Sequence, residues 1–359
     1  MRAVSSIPTA ESISAAWLTD QLRAAGYTSA TVRDFTATRV GTGQIGKCIR
    51  YELRVDGGTA DTPRSLIGKF PSDDPTSRAT GVQLRNFIKE VSFYRALRSR
   101  LRISTPRCYY AAIEGEGPEF ALLLEDLAPA KQGDQLAGCS AEVARAAVLE
   151  LVGLHAPSWC DASLRGIDWL GEPNPQMAEL VRTLYRVQLP GFLERYGARL
   201  EADEAGIIAR LGDAQGGPFE LLSEPFSLVH IDYRLDNLLI DEGQKPPRIT
   251  VVDWQSITLG SPLSDVAYFM GAGLLPAERR RVEDDIVRAY HDAVGCAGVR
   301  RYPFERCWAD YRRGTFAGFA VTVIASMMVQ QTERGDEMFI AMARRHSRHA
   351  LDLGADEFL

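Results

Sequence analysis

The chain has 359 residues, 45% of them hydrophobic and 25% charged, with a formal net charge of −6. That length exceeds the roughly 250–300 residues at which single cores stop growing, so two lobes are expected, and the acidic balance argues against a nucleic-acid binder driven by phosphate neutralisation. Six cysteines without a C-x-x-C pair signal neither zinc nor a disulfide framework; the absence of an apolar run of about 18 residues or of a signal-peptide core makes the cytoplasm the expected location, with no membrane span.

Ile13, Trp17, Leu18 and Leu22 mark a leading amphipathic helix, and strands are expected near 31–40, 47–56 and 64–70. Between the first two strands, Gly41, Gly46 and Lys47 have the spacing of a P-loop, while Gly41, Gly43 and Gly46 have that of a dinucleotide fingerprint and of a kinase glycine loop. A P-loop and a dinucleotide fingerprint both open a helix whose N-terminus receives phosphate. Here Ile49, Tyr51, Leu53 and Val55 alternate with Arg50, Glu52 and Arg54, the period of a strand with one buried face. A P-loop also needs a hydroxyl after its lysine to hold magnesium, and Cys48 offers a soft thiol instead. Two readings remain, a glycine flap between antiparallel strands and an ordinary Gly-rich hairpin.

A polar, Pro-containing link, PSDDPTSRATG, leads to a helix expected over about 80–100, with Leu84, Phe87, Ile88, Val91, Tyr94 and Leu101 on its apolar stripe. Strands near 107–113 and 119–125 follow and end in LLLEDL. From residue 140 the spacing is mostly helical, interrupted by short strands around 238–240 and 249–252. A five-stranded lobe followed by a helical lobe is the bilobal layout of a kinase.

The strongest chemical signal is LVHIDYRLDNLLI followed by ITVVDWQ. His230, Asp232 and Asn237 have the H-x-D-x-x-x-x-N spacing of a phosphotransferase catalytic loop, and Asp253 follows the next apolar strand, where a metal-binding acid belongs. Phosphoryl transfer needs a group that accepts or orients the proton of the attacking hydroxyl, which suits Asp232. It also needs oxygen ligands for magnesium on the nucleotide phosphates, which suits Asn237 and Asp253. Asp236 is read as a surface or turn residue, and His230 as a structural group that shapes the loop.

With these anchors the sequence resembles the aminoglycoside phosphotransferase family and its choline-kinase and ecdysteroid-kinase-like relatives, from about residue 30 to the C-terminus. GTGQIG, Lys69 of LIGKF, Glu90 of IKEVSFY, the LLLEDL hinge, LVGLHAPSW, HIDYRLDN and VVDWQ carry the resemblance. It implies an α+β, protein-kinase-like bilobal fold, with an N-terminal nucleotide-binding lobe over 1–126 (five-stranded antiparallel sheet plus helix) and a larger, mainly helical catalytic and substrate-binding lobe over 127–359. It also implies that Gly41, Gly43 and Gly46 cover nucleotide phosphates, and that Lys69 contacts the α/β-phosphates with Glu90 holding it. Glu125 to Leu127 would offer backbone groups to the purine. ATP or GTP with Mg2+ would be the cofactors and a small-molecule hydroxyl compound the acceptor. Nothing in the sequence sets an oligomeric state.

Three functional readings stand together: a small-molecule O-kinase, of which amino-sugar phosphotransferases are one form; a nucleotide-binding pseudokinase serving as an interaction module; and a P-loop hydrolase, disfavoured by Cys48. The chain departs from the family at Ile231, where H-G-D has glycine, and at Asp253-Trp254-Gln255, which stands in place of D-F-G. LGSPLSDVAYF follows so soon that no protein-kinase activation segment fits, so protein substrates are not expected. Asp265 in that stretch resembles the family's acid that braces the catalytic loop, with a helix N-terminal charge as the competing reading. His155 is read as a core or helix-end residue.

The segment 311–332 contains no acid and carries Phe316, Phe319, Val321, Val323, Ile324, Met327 and Met328. A core helix is the first reading of such a stripe. If part of it lines the acceptor site instead, an apolar alcohol is expected, with a cationic acceptor as runner-up through Glu333, Asp336 and Glu337.

Overall fold

The computed structural model describes residues 7–41, 45–214 and 222–359. They form two compact units. The first takes in the chain up to Ser99, then Thr105–Ala128 and Asp253–Ser256; the second comprises Arg100–Ser104, Pro129–Val252 and Ile257–Leu359.

In the first unit, helix α1 (Ala15–Ala24) starts where the Ser14 hydroxyl accepts the Trp17 N–H at 3.2 Å, an ordinary N-cap. Strands β1 (Thr31–Val40) and β2 (Gly46–Asp56) pair antiparallel from Thr31↔Asp56 to Val40↔Cys48. The glycine segment therefore joins two strands and opens no helix. With β3 (Ser65–Pro71), β4 (Cys108–Ile113) and β5 (Phe120–Glu125) they make an antiparallel sheet of order β1-β2-β3-β5-β4. Its apolar face buries Tyr51, Leu53, Leu66, Phe70 and Leu123 against Leu18 and Leu22 of α1. That is the burial a period-two pattern requires.

The polar, Pro-containing link is itself helical. Helix α2 (Pro75–Gln83) begins with Asp74 accepting the Ser77 N–H at 2.7 Å and with Pro75 at the first helical position, so the Asp-Pro pair was a start signal. It stops at Leu84, which is exposed, and Arg85, whose φ of 57° breaks the helix expected over 80–100. Helix α3 (Asn86–Ser92) restarts, continued by a π-helical turn at Phe93–Leu97. The short segment Asp253–Ser256 docks on it: the Trp254 indole stacks on Phe93 at 3.9 Å and 7°, and the Asn86 amide donates to the Gln255 carbonyl at 3.0 Å.

The second unit is mainly helical. Three short strands, β6 (Lys131–Gln132), β8 (Leu238–Asp241) and β9 (Arg248–Val251), form one small sheet, and β7 (Ser227–Val229) pairs with β10 (Thr258–Gly260). β6, β7 and β10 are two or three residues long, too short to show a period in the sequence. The helices are α4 (Ala141–Glu150), α5 (Val152–Ser158), α6 (Pro175–Tyr196), α7 (Ala202–Asp213), α8 (Pro262–Gly273), α9 (Pro276–Cys296), α10 (Phe304–Gly314), α11 (Ala317–Met328) and α12 (Glu333–Asp352). The apolar 311–332 segment is split between α10 and α11. Phe316, Phe319 and Val323 lie fully buried beside Tyr185 and Phe192 of α6, with Ile324 and Met327 packed against them. That face is core, and the observation that pointed to an apolar acceptor is gone. Among the described residues no helix is long and apolar enough to cross a membrane. The six cysteines are free thiols.

Candidate active site

In the first unit, three distant stretches of sequence converge on one ammonium group. Lys69, on β3, lies 2.8 and 2.7 Å from the two carboxylate oxygens of Glu90 on α3, and 2.6 Å from Asp253 Oδ1. Glu90 is 2% exposed, and its carboxylate also accepts the Trp254 N–H. Burial alone would push the Lys69 ammonium down, but the charges of Asp253 and Glu90 outweigh it and hold its pKa well above the ordinary value. Burial pulls Glu90 upward, against the adjacent ammonium; with a cation at 2.7 Å, the ionised pair is the state we assign.

Gly46 sits beside this lysine: a side chain there would meet the Phe70 carbonyl at 3.1 Å and Lys69 Cε at 3.3 Å, so glycine is what lets β2 begin this close. Gly41 ends β1 with φ +74° in open space, and Gly43 lies outside the described residues. The Cys48 thiol, paired across from Lys69 in the sheet, is pushed by burial up to about 11 and stays protonated. Lys47 is engaged elsewhere, by Asp73 at 2.6 Å and Glu11 at 3.1 Å. At the end of β5, the Glu125 N–H donates to the Arg107 carbonyl at 2.8 Å, and its carboxylate accepts the Arg107 N–H at 3.0 Å. Leu127 follows, half-buried.

The second unit holds the loop between β7 and β8. Asp265, on the first turn of α8, accepts the backbone N–H groups of His230 at 2.6 Å and Ile231 at 2.9 Å. It is therefore the brace of this loop. Ile231 carries φ 72°, a left-handed conformation that suits glycine and is strained for a β-branched residue; the loop keeps its path by strain where the family has glycine. His230 Nε2 bonds the Val252 carbonyl at 3.0 Å, a structural role. His155 is buried beside Asp265, its Nδ1 2.7 Å from the Tyr290 hydroxyl.

Asp232 is half-buried. Its Oδ1 accepts from Arg234 Nε at 2.9 Å and from the Tyr268 hydroxyl at 3.0 Å, and its Oδ2 accepts from Asn237 Nδ2 at 2.9 Å. Asn237 Nδ2 also donates to the Asp232 carbonyl at 2.8 Å. Engaging the amide nitrogen in this way leaves Asn237 Oδ1 as its ligand atom. Asp236, read as a surface or turn residue, does lie in a turn but is buried there: it accepts from Arg234 at 2.9 Å and from the Gln135 N–H at 3.1 Å. The loop turns inward there because a short 3-10 turn, Leu235–Asn237, buries all three of its side chains.

Motif spacing missed Arg234, Tyr268 and Gln255, whose amide donates to Asp253 Oδ2 at 3.2 Å. A signal existed for Tyr268, three residues after Asp265 and hence on the same side of one helix.

Among solved structures, the GDP complex of wild-type aminoglycoside 2'-phosphotransferase-IIIa has a TM-score of 0.53 at 12% identity, over 93% of this chain and 99% of that one. Choline kinase from Cryptosporidium parvum Iowa II gives 0.54 at 10% identity, over 90% and 89%. Plasmodium vivax ethanolamine kinase gives 0.51 at 8%, over 90% and 83%. At such identities the likeness is one of fold, the protein-kinase-like α+β fold. A curated relative, acyl-CoA dehydrogenase family member 10 of Mus musculus, is 47% identical over 51 residues, which make up 14% of this chain but only 5% of that protein. Residues 34–304 match the family model described as the phosphotransferase enzyme family. That match takes in the Lys69 cluster and the whole Asp232 loop, and the chain belongs to the phosphotransferase enzyme family.

Proposed function

We propose that this phosphotransferase is a small-molecule kinase that moves the γ-phosphoryl group of ATP or GTP to a hydroxyl group. The observation that carries the reading is the convergence of Lys69, Glu90 and Asp253 from three separate stretches of sequence. A buried ammonium held by two carboxylates costs desolvation and serves a fold poorly by itself, but it is what phosphate binding next to a metal-binding acid requires. Lys69 contacts the α/β-phosphates and Glu90 keeps it in place. Gly41, Gly43 and Gly46 let backbone N–H groups approach phosphate, and the backbone of Glu125 to Leu127 meets the purine.

Asp253 of the first unit and Asn237 of the second are the residues that would offer oxygen ligands to Mg2+, which as a hard cation prefers them. When bound, the magnesium nucleotide supplies the phosphoryl group and offsets its charge. Asp232 receives or orients the proton of the acceptor hydroxyl. The cytoplasm is the compartment we assign.

The test is to incubate the protein with MgATP or MgGTP and a panel of kanamycin, choline, ethanolamine and long-chain alcohols, with mass-spectrometric detection of phosphorylated products. Phosphorylation of one class supports the reading and names the acceptor. Nucleotide binding without transfer to any acceptor or to water would make the chain an interaction module instead.

A further inference from the structure

Helix α8 reaches the catalytic loop twice. Asp265 fixes the backbone of His230 and Ile231, and Tyr268, three residues later, donates its hydroxyl to Asp232 Oδ1 at 3.0 Å. We propose that Tyr268 is a positioning residue for phosphoryl transfer: with Arg234 it occupies Oδ1 of Asp232 and thereby makes Oδ2 the oxygen that takes the acceptor proton. The inference rests on Asp232 being the base.

The two carboxylate oxygens are not equivalent. Among the described residues Oδ1 accepts two donors, the Arg234 guanidinium at 2.9 Å and the tyrosine hydroxyl, whereas Oδ2 accepts one, the Asn237 amide at 2.9 Å. An ionised carboxylate has about two lone-pair sites on each oxygen, so Oδ1 is filled and Oδ2 retains room for a hydroxyl. In the step itself the acceptor O–H breaks, its proton passes to Oδ2, and the oxygen forms the new P–O bond as the bond to the nucleoside diphosphate breaks.

The ring of Tyr268 is seated for this purpose. It is 1% exposed and lies on His346, with ring centroids 5.2 Å apart. His346 is wholly buried, and neither ring nitrogen has a hydrogen-bond partner among the described residues. Burial pushes its pKa down to about 3, so it serves as a neutral slab. Gly271 on α8 and Gly318 on α11 make room for it, since a methyl group at either would collide with the imidazole. Burial, and then the charge of Asp232, hold the Tyr268 phenol well above its ordinary pKa, so the hydroxyl keeps the proton it donates.

The experiment compares Tyr268→Phe, Asp232→Asn and the double variant, with MgATP and either water or the first acceptor phosphorylated in the panel. Tyr268→Phe, which keeps the ring, should lower kcat by about 10- to 100-fold, the weight of one hydrogen bond to a charged group. KM for MgATP should stay within about twofold, and the loss of this folded-state hydrogen bond should lower the thermal midpoint by only a few degrees. In the Asp232→Asn background the second substitution should add nothing. A purely structural tyrosine would instead lower the thermal midpoint with kcat kept, or add its full effect in the double variant, and either result would overturn the proposal. Wild-type kcat in Tyr268→Phe beside a crippled Asp232→Asn would overturn this assignment alone. Full turnover in Asp232→Asn would remove Asp232 as the base and this proposal with it, whereas none in the wild-type protein would overturn the functional reading beneath it.

Discussion

Asp253 in the first unit and Asp232 in the second each face a cation within hydrogen-bond distance, yet they are built in opposite ways. The partner of Asp253 is Lys69, 184 residues away in sequence, on a strand whose place is set by the whole sheet. Asp232 is gripped by its own loop, through Arg234 two residues on and Asn237 five residues on, and by one neighbouring helix. The first carboxylate depends on tertiary assembly and the second on a loop that is largely pre-formed. Disruption of the sheet should therefore unmake the phosphate-binding cluster, while the Asp232 loop should fail only when its local brace is removed.

The largest expected effect is on the distant pair. Lys69→Met leaves the buried Glu90 carboxylate without its ammonium, and removing one partner of a buried pair costs about 3–5 kcal/mol. Denaturant unfolding should report that loss and nucleotide titration a collapse of affinity. Lys47→Met is the control: its partners Glu11 and Asp73 are 72% and 67% exposed, so about 0–1 kcal/mol is expected. Equal losses at the two lysines would break the contrast. Next comes the brace. Asp265→Ala strips the acceptor from two backbone N–H groups, of which that of His230 is buried, and should cost about 3 kcal/mol. It should reduce turnover while leaving nucleotide affinity near that of the parent.

A smaller effect of opposite sign is expected at Ile231. It is 36% exposed and sits at φ 72°, so Ile231→Gly relieves strain worth about 1–2 kcal/mol, less the extra chain entropy of glycine. A net gain of about 0.5–1 kcal/mol, with unchanged kcat, would show that the loop path does not need isoleucine. The effect confined to a pH window concerns Lys89 in the first unit. Burial, with Arg85 adding, pushes its ammonium down to about 8 from an ordinary 10.5. Below pH 8 both folded and unfolded states carry the charge and the folded state bears its burial; between pH 8 and 10.5 the folded state holds fewer protons, so stability rises with pH. Lys89→Met should raise the thermal midpoint at pH 7, and that advantage should shrink across this window. A pH-independent difference would mean that the charge is not the cause.

Much of this was legible from the sequence, for a physical reason. β2 declares itself because a half-buried strand must alternate, and the Asp232–Asn237 loop does so because its ligands lie a fixed few residues apart. The Lys69 cluster was assigned by resemblance, since no local rule joins Lys69 to Asp253. The start of α2 at Asp74-Pro75 was written in the sequence but obscured by the polar residues around it. Tertiary structure alone decided that Asp236 is buried and that Tyr268 rather than solvent meets Asp232 Oδ1, whereas the core placement of Phe316, Phe319 and Val323 was already the first reading of their spacing. An apolar or polar side chain records only what it can tolerate; which neighbour covers it is settled when helices and strands far apart in the chain pack together.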